Sequence, residues 1–447
     1  MICYPRNFFQ NEDEVIEMNA NQLVQTLQSE ITLSAGCTDP GCISLATASA
    51  VQTLGRPAER MTLWVSGNLL KNAISVGIPG TGRSGMALAA ALGGLICKPE
   101  AGLSILSGVT PELLSQADAF LARGAVDIQW EEHAPDALYV RAQVWAGEDT
   151  AWAVIQGDYT NVIQLGKNDA VLLDKPAASA EGRPAAALLQ YPVRELWDLI
   201  LSCDAELFAP FLQDAETNKA AALAGIGSKD TRLGPILSRE ELKDASPCIC
   251  AASHARTFTA AAGEARMRGL NVPIMTIAGS GNHGITNFLG VLSVAESLGS
   301  DREHTLRALG LSSMITVYIK GFTKRMSAFC GCGVAAATGV AAATVYLLGG
   351  DFTQAQGAMG SVIGTLGGMY CDGAKTSCAM KLSTAVTLAI QAADLAMQGC
   401  WLPAGEGIVA PSIEETFANM AELNDPGMVE TDRLLLQIVR KNASKRI

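Results

Sequence analysis

From Val334 to Leu348 the chain runs through Ala, Val, Thr, Gly, Tyr and Leu without one charged side chain, until Gly349, Gly350 and Asp351 stop it. A helix with no polar face must be buried on every side. This one falls short of the ~18 apolar residues that a bilayer-spanning segment needs. It therefore predicts the inner helix of a helical domain and not a membrane span. Composition agrees: of 447 residues, 49% are hydrophobic, 17% charged and 5% aromatic, and 44 are glycine. That excludes a tail-like disordered chain and calls for a core of small and aliphatic side chains in which helices approach closely. A formal net charge of −12 argues against nucleic acid, or an anionic membrane surface, as the main partner.

The first seventeen residues mix Arg6 with Glu12, Asp13, Glu14 and Glu17 and lack an apolar run, so they do not read as a secretory signal. They are expected to form an appendage (1–17) on a cytoplasmic protein whose cysteines stay reduced. Residues 18–60 read as a helical segment, Asn21–Ser29 and Pro40–Leu54, packing on the C-terminal domain. Residues 61–170 alternate in strand fashion at Met61–Ser66, Leu103–Ser107, Val126–Trp130, Leu138–Ala146, Ala151–Ile155 and Asn161–Leu165. Helical stretches at Gly85–Cys97 and Pro111–Arg123 are interleaved. The small and polar run Asp169–Pro184 marks a linker, set at 171–190, and 191–447 is helical with one strand at Val272–Ile277. The expected fold class is α+β: a predominantly helical domain carrying the cysteines, and an α/β-layered N-terminal half with mostly antiparallel strands.

Two segments spell G-x-G-x-x-G before a helix, Gly80–Gly85 and Gly279–Gly284. Either can place an anion at a helix N-terminus. Neither sits in a run of alternating parallel strands and helices, so dinucleotide binding stays the weaker alternative to a glycine-rich turn. The four histidines, His133, His254, His283 and His304, have no metal-ligand spacing. His133 and His304 lie in charged surface contexts and His254 reads as a packed helix residue. His283 sits among Gly, Ser and Asn in a turn able to approach a ligand.

Of twelve cysteines, Cys42, Cys97, Cys203, Cys248, Cys250 and Cys400 read as structural, and Cys3 falls in the appendage. Cys37 precedes the helix that Thr38 or Asp39 would cap, where the partial positive charge of the helix start favours a thiolate. Cys330, Cys332, Cys371 and Cys378 form a last group. Cys371 and Cys378, seven apart, either share a helix face or bracket a turn at Gly373. Around them Lys320, Lys324, Arg325, Lys375 and Lys381 face only Asp351 and Asp372, a basic island in an acidic chain. Such charge favours thiolates, an anionic iron–sulfur cluster and a carboxylate substrate.

Gly36-Cys37-Thr38-Asp39-Pro40-Gly41 resembles the N-terminal signature of the iron–sulfur L-cysteine desulfidases. Ile274–Ile285, with Ser280, Asn282 and His283, is similar to the Asn-Gly turn of iron–sulfur L-serine dehydratase alpha chains. Tyr318–Gly321 and Ser327–Cys330 continue the same order, and Cys371 with Cys378 stands where the desulfidases place their closing ligand pair. The resemblance implies a [4Fe–4S] cluster on Cys330, Cys371 and Cys378, with Cys332 the alternative to Cys330. It implies one open iron as Lewis acid, Cys37 as general base, and Thr38, Ser280, Asn282 and His283 orienting a small amino acid. The implied reaction is β-elimination from L-cysteine to pyruvate, ammonia and sulfide, or the same from L-serine. Pyridoxal phosphate on Lys71 or Lys375, a nicotinamide oxidoreductase and a non-enzymatic iron–sulfur protein are the other classes considered. Ala- and Gly-rich helix faces are compatible with a homodimer.

Overall fold

The computed structural model describes residues 18–176, 184–242, 244–323 and 325–445. The proposed appendage, Lys324 and the central part of the proposed linker lie outside them. Seventeen α-helices are described. The first five, α1 (Ala20–Ser29), α2 (Thr38–Leu54), α3 (Gly67–Ala73), α4 (Met86–Ile96) and α5 (Pro111–Ala122), interleave with strands. Then follow α6 (Pro184–Leu188), α7 (Val193–Ser202), α8 (Ala209–Gly227), α9 (Leu233–Leu237), α10 (Pro247–Arg268), α11 (Gly281–Leu298) and α12 (Arg302–Thr323). The chain closes with α13 (Ala337–Leu347), α14 (Phe352–Leu366), α15 (Ser377–Met397), α16 (Ile413–Glu422) and α17 (Val429–Ala443). The fold is α+β, as the sequence predicts.

Ten strands accompany them: β1 (Ile31–Ala35), β2 (Arg60–Ser66), β3 (Gly77–Ile78), β4 (Arg83–Ser84), β5 (Val126–Glu131), β6 (Tyr139–Ala146), β7 (Asp149–Gln156), β8 (Val162–Lys167), β9 (Ala170–Asp174) and β10 (Pro273–Ile277). Six build one sheet in the order β5-β2-β6-β7-β8-β9, in which only the β2–β5 pair is parallel. Its strands alternate in burial, so Val140, Ala142, Val144 and Ala146 of β6 point into the core. Two expectations fail here. Leu103–Ser107 lies in a 3₁₀ segment, Pro99–Gly108, kinked at Gly102, because a short apolar run carries no period that separates strand from helix. Ala170–Asp174, taken as linker, is the edge strand β9; its Val171 and Leu172 are exposed, so it lacks a buried-strand pattern.

Two large apolar cores result, beside smaller clusters. One gathers α1, α7, α12, α13, α14 and α15, and α13 is buried along nearly its whole length. The other packs α2 and α4 on the sheet. The 18–60 segment thus divides between them. Small residues permit the contacts: α4 crosses α2 with Gly93 against the Ser44 backbone, leaving no room for a Cβ. Among the described residues no single helix is long and apolar enough to cross a membrane. A bent apolar pair, α4 with Pro99–Gly108, has Leu88, Leu92, Leu103, Ile105 and Leu106 buried in the sheet's core. The β1–β10 antiparallel ribbon, Ile31↔Ile277 to Ala35↔Pro273, joins the two halves. It delivers the Gly36–Asp39 and Ala278–His283 segments to the same region.

Candidate functional site

The loop after β1 ends in α2, whose N-cap is Cys37 and not Thr38 or Asp39. Asp39 occupies the first turn, where a carboxylate suits the helix dipole. It is buried and accepts hydrogen bonds from Cys37 Sγ (3.1 Å), Asn72 Nδ2 (3.1 Å) and Tyr159 Oη (3.3 Å). Burial raises its pKa, and these donors with the nearby Arg266 hold it down. The expected Cys37 thiolate is not what this setting favours. Burial pushes the thiol well up, the Asp39 charge adds to that, and Arg266 offsets it only in part, so Cys37 is a protonated donor to Asp39.

On the other side, β10 turns into α11 through Ala278 and Gly279, both left-handed (φ 48° and 77°). A non-glycine residue in that region is uncommon and is held by its surroundings; here Ala278 N–H bonds Glu30 O at 2.8 Å. Helix α11 starts at Gly281, so Asn282 and His283 belong to its first turn and not to a free turn ahead of Ile285. Arg266, buried at the end of α10, ties both segments: Nε donates to Gly36 O (3.0 Å) and Nη1 to Asn282 Oδ1 (2.9 Å). His283 donates through Nδ1 to Ile277 O (3.0 Å). Burial, then the charge of Lys320, lowers its pKa to about 3, so the ring is neutral and Nε2 is an acceptor.

The thiol group is assembled by a short backbone pairing. Phe329 bridges Tyr370, Cys330 N–H bonds Met369 O (2.6 Å), and Cys371 N–H bonds Ala328 O (2.7 Å). Cys330 and Cys371 are thereby brought alongside. The following turn is pinned by Lys381, bound to Tyr370 O (2.9 Å) and Asp372 Oδ1 (2.6 Å), and by Lys375, bound to Asp372 O. It passes through Gly373 (φ 94°) to Cys378, the second residue of α15. Of the two arrangements the spacing allowed, Cys371 and Cys378 bracket a turn. Cys332 opens a π-helical turn, Cys332–Ala336, with its Sγ 3.2 Å from that of Cys330. Hydrogen bonding from Cys332 lowers the Cys330 pKa and raises its own, while burial raises Cys371 and pushes Cys378 up to about 12.

All four thiols border one cavity of about 80 Å³, together with Thr38, Asp39, Ser280, Asn282 and His283. Cys37 lies beside it, fully buried in a cluster with Val76, Met267 and Cys378. The residues named from the sequence therefore converge. The basic island is real but incomplete: Lys320, Arg325 and Lys381 line the cavity, and so do Lys71 and Arg266 from distant segments. Lys71 is buried and paired with Asp432 of α17; Arg325 is paired with Glu30 and, at 2.7 Å, with Asp158. Sequence reasoning missed Arg266, Asn72 and Tyr159 altogether, saw Asp39 only as a cap and Lys71 only as a cofactor anchor. The one available signal was a charged pair, Glu264 and Arg266, inside the small-residue run of α10.

Among the described residues no three His, Cys, Asp or Glu side chains converge on a single metal ion. Cys330, Cys371 and Cys378, thiols from separate segments on one cavity, are instead the donor type that a multi-iron cluster takes, one thiolate to each iron. Two buried side-chain atoms on the same cavity, Asn72 Oδ1 and Arg325 Nε, have no hydrogen-bond partner among the described residues.

The chain is a mostly helical α+β protein with thiols and cationic side chains around a buried cavity, and its sequence profile puts it among serine-dehydratase-like lyases. The chain belongs to the serine dehydratase alpha chain family, whose sequence profile matches residues 100–437. A "UPF0597 protein" of Methanocella arvoryzae is 46% identical, covering 94% of this chain and 99% of that protein. A "UPF0597 protein" of Bacteroides thetaiotaomicron is 36% identical over 95% and 99%. "UPF0597 protein YhaM" of Escherichia coli is 36% identical over 94% and 97%.

Proposed function

We propose that this protein is an iron–sulfur L-cysteine desulfidase, converting L-cysteine and water to pyruvate, ammonia and sulfide. The observation that carries the proposal is the convergence of four thiols with the Cys37–Asp39 pair around one cavity. Cys330, Cys371 and Cys378 would hold a [4Fe–4S] cluster. When bound, it supplies a Lewis-acidic iron for the departing sulfur. The two orphaned atoms fit the substrate class: a zwitterionic amino acid brings an ammonium for Asn72 Oδ1 and a carboxylate for Arg325 Nε, with Ser280, Asn282 and Thr38 at hand.

Cys37 is the base for the α-proton. In the resting protein its own proton is held toward Asp39, which takes it and leaves the thiolate free to act. Arg266 and the α2 N-terminus favour that charge. His283, neutral and fixed by Ile277 O, offers Nε2 only as an acceptor and orients groups near Gly331. Elimination leaves an aminoacrylate, which hydrolyses to pyruvate and ammonia. The family description supports L-serine as the competing substrate.

Anaerobic reconstitution followed by parallel pyruvate and sulfide assays on L-cysteine and L-serine tests this. About four irons and four sulfides per chain are expected, with pyruvate and sulfide released in equal amounts from L-cysteine. Faster pyruvate release from L-serine would assign the dehydratase reaction. A metal-free protein that still eliminates would remove the cluster from the mechanism. Cys37→Ala should keep the cluster and lose turnover.

A further inference from the structure

The cavity that holds the thiols has a neighbour. A second cavity, of about 670 Å³, lies between the sheet and the N-terminal half of α17, walled by Gly67, the 130–137 segment, Ala328 and Asn424. Among the described residues the two cavities share three lining residues, Asn68, Met326 and Ser327. We propose that this second cavity is the port through which a small ligand reaches the thiols, with Met326 as its gate and an acidic wall that selects a ligand carrying a positive group.

Short links join the port to the thiols. Ala328 N–H donates to Asn424 Oδ1 at 2.8 Å, and Cys371 N–H donates to Ala328 O at 2.7 Å, so one wall of the port also holds a thiol in place. Gly67 lets α17 lie close: a Cβ there would meet Leu436 Cδ2 at 3.0 Å. Met326 is buried among the apolar side chains of the sheet's core. An unbranched thioether changes rotamer at low cost, which suits a plug that must move. The rival route is a larger cavity, of about 1100 Å³, on the far side of the 370–376 turn. Among the described residues it shares no lining residue with the thiol cavity. Met267 on its side and Ala374 and Cys378 on the other pack with Cys37 and Val76 into a wall.

Charge distinguishes the two routes. Glu131, Glu132, Asp136, Asp425, Glu430 and Asp432 line the port, against His133 and Arg433, and Arg433 bonds Glu132 at 2.8 Å. The larger cavity is instead lined by Arg83, Lys229, Arg232, Arg268 and Lys375, against Asp230 and Asp372. An acidic mouth ahead of a basic interior repels a simple anion at the entrance and a simple cation further in. A zwitterion passes both: its ammonium is favoured at the mouth and its carboxylate by Arg266, Lys320 and Lys381 inside. That selectivity rests on the amino-acid reading above; the port itself does not.

The test labels thiols in the reduced, metal-free protein and so reads the port without turnover. Labelling of Cys330, Cys332, Cys371 and Cys378 is timed by mass spectrometry, with exposed Cys400 and buried Cys42 as references. Met326→Ala should speed iodoacetamide labelling of the cavity thiols about threefold or more, because a large-to-small change leaves open space, and should leave Cys42 and Cys400 unchanged. A cationic and an anionic methanethiosulfonate form the second arm. Glu131→Lys with Glu430→Lys should lower the cationic-to-anionic rate ratio at the cavity thiols about threefold at low salt, and leave it unmoved in ~1 M salt. Lys229→Glu with Arg232→Glu should leave the ratio unchanged. The proposal is overturned if Met326→Ala labels as wild type does, or if Cys42 accelerates equally. It is also overturned if the ratio ignores Glu131 and Glu430 or follows Lys229 and Arg232. A port that behaves as expected in a protein forming no pyruvate would stand, and would refute the reaction assigned above instead.

Discussion

Replacing Gly331 by Ala separates two opposing effects, and the geometry says which wins. At φ −59° and ψ −37° alanine is conformationally at ease, so the change restricts the unfolded chain and should stabilise by about 0.4–1 kcal/mol. Against that, the added methyl would sit 2.5 Å from His283 Nε2 and 3.3 Å from Cε1. The ring cannot swing away: it is buried and held through Nδ1 by Ile277 O at 3.0 Å. Overpacking in a tight interior costs about 1–3 kcal/mol, so the net expectation is a loss of about 1–2 kcal/mol. Urea unfolding of the reduced, metal-free protein measures it, with Gly331→Ala, His283→Ala and the double variant completing a cycle. A coupling of at least about 1 kcal/mol between the two sites is expected, as is reduced iron retention, because Gly331 joins Cys330 to Cys332. Stability equal to or above wild type, or a coupling near zero, would refute the steric account.

His283 is neutral when folded, with its pKa lowered to about 3 from an ordinary ~6.5. Its contribution is therefore complete above pH ~6.5 and is lost as pH falls toward 3; at pH 5 about 2 kcal/mol should be gone relative to pH 7. His283→Gln should flatten that part of the pH–stability curve, and an unchanged slope in urea midpoints would contradict it. Lys71→Met strands Asp432 and should cost about 3 kcal/mol. Adding Asp432→Leu should recover most of it, as read by urea unfolding and by proteolytic release of α17. Arg266→Lys cannot reach both Gly36 O and Asn282 Oδ1 and should lower kcat/KM for pyruvate formation about tenfold or more. Unchanged kinetics would remove Arg266 from the site.

Local patterns read from the sequence reached far where periodicity was long. The burial of α13, the alternation of β6 and the break at Gly349 follow from residue order alone. Periodicity did not extend to Leu103–Ser107, whose apolar run is too short to show a period, nor to β9, whose apolar residues face solvent. The G-x-G-x-x-G reading places a helix after Gly284, yet α11 already begins at Gly281, because Gly281 and Gly284 lower helix propensity and mask its first turn. Close packing explains them: a Cβ on Gly281 would meet Arg266, and one on Gly284 the Met275 carbonyl.

By itself the sequence determined the fold class, the thiol set and the excess of positive charge around it, because these depend on composition, spacing and helical period. Tertiary structure decided the rest. Whether Cys37 is thiolate or thiol depends on how much water reaches it, and burial against Val76 and Met267, with Asp39 as acceptor, makes it a thiol. That Lys71, Tyr159 and Arg266 share a cavity with Cys371 depends on contacts between segments hundreds of residues apart, for which no local pattern exists. The pairing of Cys330 with Cys371 turns on the same point: their separation in sequence says nothing of it, and only the bridge between Phe329 and Tyr370, with Cys330 N–H on Met369 O and Cys371 N–H on Ala328 O, sets them side by side.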